Sequence, residues 1–76
     1  MTWETLKLTL VHDLQLQHEA LVPTASLADI GLDSLAAVEL AEALHRRYGV
    51  QVADYEILDA ADLAGLTELV VGRSRA

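Results

Sequence analysis

The sequence predicts an all-α fold: a small four-helix bundle with three longer helices, one short helix and a long loop between the first two. Three observations carry this expectation. Apolar residues recur at spacings of three and four in three separate stretches. The composition is rich in Leu and Ala and holds a single proline, which favours helix. A capping side chain before and a glycine after bracket the clearest of these stretches, residues 34–48.

The 76 residues are enough for one domain, expected to span 1–76. A chain this short sits near the lower limit for independent folding, so most apolar side chains must go inside. Hydrophobic residues make up 53% of the chain, yet the only aromatics are Trp3, Tyr48 and Tyr55. The core is therefore expected to be aliphatic.

Helix 1 is placed at about 2–17. Trp3, Leu6, Leu10, Val11 and Leu14 form one apolar stripe, with Thr2 as N-cap. Leu8 and Leu16 fall off the stripe, and the helix is expected to fade near Gln17–Glu19. Residues 18–33 read as a long loop, with Pro23 and Gly31 as breakers. Leu21, Val22, Leu27, Ile30 and Leu32 would face water if this loop were free, so they are expected to close one side of the core. A short helical turn is expected around Ser26–Ile30.

Helix 2, about 34–48, starts at Asp33 or Ser34 and ends at Gly49. His45, Arg46 and Arg47 occupy its last turn, where positive charge suits the helix dipole. Ala37, Leu40, Ala41, Leu44 and Tyr48 make the expected core face, while Leu35, Val38 and Glu42 form a second row beside Glu39. A short helix follows at about 53–58. Helix 4, about 62–72, is capped by Asp62, apolar at Leu63, Leu66, Leu69 and Val70, and ended by Gly72, leaving residues 73–76 as a frayed tail.

Charge and composition narrow the function. Twelve acids against five bases give a net charge of −7, which argues against nucleic acid and suits partners with basic patches. There is no cysteine, so disulfides and thiolate metal sites are excluded. His12, His18 and His45 do not make a metal set. No stretch reads as a signal peptide or a membrane span, so a cytoplasmic monomer away from membranes is expected. The start at Met1 without flanking domains reads as a discrete protein.

The segment with chemistry is Asp29-Ile30-Gly31-Leu32-Asp33-Ser34-Leu35. Ser34 lies where a loop becomes a helix, so its hydroxyl is exposed. The first-turn amides and the positive end of the helix dipole favour a phosphodiester beside it. Gly31 lets the loop turn sharply. The alternative is that Ser34 is simply an N-cap.

The string DIGLDSLAAVELAEAL, with an amphipathic helix before it and Gly-Val-Gln-Val after it, resembles the phosphopantetheine-bearing carrier domains, the acyl and peptidyl carrier proteins. Gly31, Leu32, Asp33, Ser34 and Leu35 match the G-x-D-S-L core. Ser26-Leu27-x-Asp29-Ile30 and Tyr48-Gly49-Val50 match the flanks, and Asp62 stands where many members have Thr.

The resemblance implies a four-helix carrier fold and a non-catalytic role. Ser34 would take a 4′-phosphopantetheine arm from coenzyme A, with Asp33 and Leu35 beside it, through a phosphopantetheinyl transferase. The arm's thiol would hold an acyl group as a thioester. Further partners implied are an acyltransferase or ligase and a ketosynthase with basic docking patches. Asp33, Leu35, Val38, Glu39 and Glu42 would be the recognition surface. Glu42, and the basic His45-Arg46-Arg47, depart from bacterial fatty-acid carriers, and Leu-Ala-Ala-Val-Glu-Leu looks more like polyketide-type carriers. The alternatives are a peptidyl or aminoacyl carrier and an unmodified acidic helical adaptor.

Overall fold

A computed structural model describes residues 1–75. It is an all-α bundle measuring 29 × 22 × 19 Å. Among the described residues its four α-helices are α1 (Trp3–Leu14), α2 (Ser34–Tyr48), α3 (Asp54–Leu58) and α4 (Leu63–Ser74), with a 3-10 turn at His18–Ala20.

Each longer helix opens on a side-chain cap. Thr2 accepts from the Thr5 amide (3.3 Å), Asp33 from Ala36 (2.9 Å) and Asp62 from Gly65 (2.8 Å). These bonds satisfy amides that have no acceptor inside the helix. α2 stops at Gly49, whose φ of 67° is left-handed. The Val50 amide then reaches back to the Leu44 carbonyl at 3.2 Å, a closure that needs this conformation.

The core joins all four helices. Leu6 and Leu10 meet Ala37, Leu40 and Leu44, Ile57, and Leu63, Leu66 and Val70, all buried. The long loop seals one side through Leu21, Leu27, Ile30 and Leu32. It is pinned to α4 by its own carbonyls. The amides of Leu63 and Ala64 donate to Ala25 (3.0 Å) and Pro23 (2.9 Å), which occupies two of the unpaired donors at the start of α4.

Several expectations need correction. α1 ends at Leu14 instead of near residue 17, because Gln15 adopts φ 57° and the Leu16 amide closes on Leu10 at 3.2 Å. Val22 is exposed, since the turn after the 3-10 segment points it outward, and residues 27–31 are turns without a helix. On α2 the buried alanine besides Ala37 is Ala43. Ala41 is only half-buried and Tyr48 is exposed, its hydroxyl 3.2 Å from Thr9 Oγ1. Keeping that hydroxyl at the surface avoids burying it in an aliphatic core.

The C-terminus differs most. Gly72 does not end α4, which continues to Ser74. Arg73 is therefore helical, and its guanidinium bonds the Gln51 carbonyl (3.2 Å) and Glu56. Of the expected tail, Ala76 lies outside the described residues.

Candidate functional site

Ser34 is the first residue of α2 and is exposed. Three features place it there. Gly31 turns the chain at φ 81°, Leu32 is buried and anchors the loop end, and the Leu32 amide closes on Leu27 at 2.9 Å. Asp33 then takes extended geometry and caps the helix. Asp33, and not Ser34, is the cap, so the serine hydroxyl is not committed to the first turn. The amides of Ser34 and Leu35 lie in the first turn, where no intrahelical acceptor exists. They and the α2 dipole favour an anion at this end.

The second row on α2 faces away from the core. Leu35 is 67% exposed and Val38 39%, while Glu39 and Glu42 are also exposed. Leu40, one position beyond Glu39, is fully buried. The two rows therefore diverge as a 3.6-residue period requires.

The short helix adds two exposed apolar residues that periodicity does not single out. Tyr55 is 73% and Leu58 41% exposed. Leu58 joins Leu27, Ala28, Gly31, Leu32 and Asp33 in lining a hollow of about 410 Å³. The hollow opens beside Asp33, the residue before Ser34, and its lining is largely apolar. The sequence held one signal for this: α3 is only five residues long, so it can bury only one side of a single turn. Ile57 fills that role, and Tyr55 and Leu58 are left outside.

The other singled-out residues do not gather here. His12, His18 and His45 are exposed and scattered, and among the described residues no group of three His, Cys, Asp or Glu is placed to hold a metal. No helix among the described residues is long and apolar enough to cross a membrane.

An exposed hydroxyl on a helix N-terminus, beside an apolar hollow and an apolar surface with acidic edges, can bear a flexible phosphodiester-linked arm. Free amides would face the phosphate, and the hollow would face the apolar part. Comparison with known proteins agrees with that chemistry. Residues 4–70 match the sequence model of the phosphopantetheine attachment site family. The chain is 41% identical over 54 residues, 70% of its length, to a highly reducing polyketide synthase, FUM1, of Gibberella moniliformis. It is 32% identical over 68 residues, 90% of its length, to a non-reducing polyketide synthase, sor2, of Hypocrea jecorina. It is 45% identical over 56 residues, 74% of its length, to a nonribosomal peptide synthetase, sidC, of Arthroderma benhamiae. These matches cover 2%, 3% and 1% of the relatives' own lengths.

Proposed function

Because the chain belongs to the phosphopantetheine attachment site family, we propose that Ser34 carries the 4′-phosphopantetheine arm and that the chain passes acyl intermediates between the enzymes of polyketide synthesis. The arm supplies a thiol, on which a cysteine-free chain can hold an acyl group as a thioester. The observation that carries the reading is the exposed, uncommitted Ser34 hydroxyl at the start of α2, with Asp33 already acting as cap.

The chain's own residues would have three tasks. Asp33 shapes the first turn and leaves the Ser34 and Leu35 amides to the phosphate. Leu35, Val38, Tyr55 and Leu58 offer a small apolar centre to each partner, and Asp33, Glu39 and Glu42 rim it with negative charge. Such a contact suits fast, repeated encounter with basic partners: a phosphopantetheinyl transferase, an acyltransferase or ligase, and a ketosynthase. The chain lowers no chemical barrier itself. It raises the effective concentration of a tethered group at each active site.

The polyketide assignment is supported by the likeness to the FUM1 and sor2 synthases. The likeness to the sidC peptide synthetase favours a second reading, an aminoacyl cargo. Intact mass after incubation with coenzyme A and a broad-specificity phosphopantetheinyl transferase tests the attachment. Wild type should gain one arm and Ser34→Ala none; a wild type that gains nothing would leave an unmodified acidic adaptor. The loaded chain then separates the two cargoes, by its acceptance of a malonyl-type group from an acyltransferase or of an aminoacyl group from an adenylating enzyme.

A further inference from the structure

The short helix α3 packs chiefly on α2. It spans five residues and buries one side chain, Ile57. Its first turn is closed by Glu56, whose Oε1 accepts from the Ala53 amide at 3.0 Å. This is half of a capping box, since Ala53 has no side-chain acceptor to return the bond.

The same carboxylate is gripped from α4. Arg73 Nη1 donates to Glu56 Oε1 at 3.0 Å and to the Gln51 carbonyl at 3.2 Å, while Nη2 donates to Glu56 Oε2. One guanidinium thus ties the last turn of α4 to both the α2–α3 link and α3. The hydrogen bond from Arg73 is the main cause holding the Glu56 carboxyl below its ordinary range, and Arg73 is raised in return. These residues line a hollow of about 480 Å³ with His45, Val52 and Ala53. Leu58, two residues on from Glu56, walls the hollow beside Asp33, while Tyr55 stands exposed within electrostatic reach of Arg73.

We infer that Arg73 is a positioning residue for the attachment face, acting through Glu56 to set how α3 presents Leu58 beside Asp33, together with its exposed neighbour Tyr55. The inference rests on the carrier reading, because only that reading gives enzymes a reason to cover this face. A lone exposed ion pair adds little to global stability. The role assigned here is local: α3 packs on α2, but among the described residues its side-chain hydrogen bonds all run through Glu56, so the three-acceptor clip governs how its outer side is held.

Two measurements on the full chain test it. The first is amide hydrogen exchange of the unmodified protein. Arg73→Ala should speed exchange in α3 by about tenfold, with the buried turns of α1 and α2 unchanged. Glu56→Gln keeps an acceptor for the Ala53 amide and should show a smaller rise, which separates the clip from the cap and serves as the second variant should Arg73→Ala fold poorly. The second is steady-state loading by a phosphopantetheinyl transferase with coenzyme A. Arg73→Ala should raise KM for the carrier about three- to tenfold with kcat within about twofold, Arg73→Lys should recover part of the loss, and Arg73→Ala should add nothing in a Tyr55→Ala/Leu58→Ala background.

Unchanged α3 exchange overturns the inference. So does faster exchange with an unmoved KM, which would make the clip purely structural, and so does a KM effect that persists without Tyr55 and Leu58. A wild type that accepts no arm sinks the carrier reading instead, and the exchange result then reports only on how α3 is held.

Discussion

The two ends of α2 are built in opposite ways. At the Ser34 end the side-chain hydrogen bonds are local: Asp33 caps its own helix, Ser26 Oγ accepts from the Asp29 amide three residues on, and Asp62 caps α4. At the Tyr48 end, about 22 Å away at 1.5 Å per residue, side chains reach between elements. Arg47 pairs with Asp13 at 2.9 Å, Tyr48 meets Thr9, and Arg73 clips Glu56 and Gln51. Among the described residues, every side-chain hydrogen bond between elements lies toward that far end or on the clip leading from it. The difference teaches how a small bundle can leave one end open. Cross-links concentrated away from Ser34 hold the helices together and leave the apolar residues Leu35, Val38 and Leu58 exposed.

The strongest way to break this comparison is to exchange the roles of the two α2 rows. Leu44 is fully buried in the core near the far end, and Val38 lies on the open row. Leu44→Ala should cost about 2–5 kcal/mol in urea unfolding through lost burial and the cavity left behind. Val38→Asp should stay within about 0.5 kcal/mol of wild type while slowing transfer to a partner enzyme, because it places a charge in the apolar centre. Loss of helicity by circular dichroism in Val38→Asp would put that residue in the core and remove the distinction between the rows.

A smaller effect sharpens what Asp33 does. Its carboxylate both caps α2 and adds charge beside Ser34. Asp33→Ala should lower stability by about 0.5–2 kcal/mol through loss of the cap. Asp33→Asn should recover most of that, since an amide oxygen also accepts from Ala36. If Asn restores the unfolding midpoint but not the rate with a basic partner, the charge serves recognition; equal recovery of both would leave Asp33 as a cap alone.

What the sequence made legible followed the same division. The loop-to-helix junction is written within a few residues: a glycine that turns, an aspartate that caps, and a clear period behind it. Its geometry could be read locally, although the role of Ser34 could not be read from geometry alone. The far end depends on partners distant in sequence. Nothing near Arg73 announces Glu56, seventeen residues earlier, so by local pattern Gly72 is a stop and the arginine a tail. The choice of Ala43 over Ala41 and Tyr48 depends on which side of α2 its neighbours cover, which periodicity leaves open across a broad apolar face. Gln15 closes α1 in a left-handed conformation that Gly or Asn would normally signal. The exposure of Tyr55 and Leu58 is not legible in sequence, because a single helical turn shows no period.

The clip supplies the smallest effect and the one with a definite pH signature. Arg73's hydrogen bond, then the Ala53 amide, hold the folded Glu56 carboxyl below its ordinary value of 4.5. A depressed carboxyl binds protons less readily folded than unfolded, so its contribution is fully present above pH 4.5 and is lost as pH falls through the lowered folded value. Both groups are exposed enough for solvent and salt to screen the pair. The stability difference between wild type and Glu56→Gln should therefore be modest, constant through neutral pH, and should close as pH drops below that point. Arg73, itself raised by the pair, stays charged throughout, so it does not produce the closing. A difference that holds unchanged in acid would mean that the charge on Glu56 contributes through neither partner, and that the far end of the molecule is held by packing with no help from Arg73.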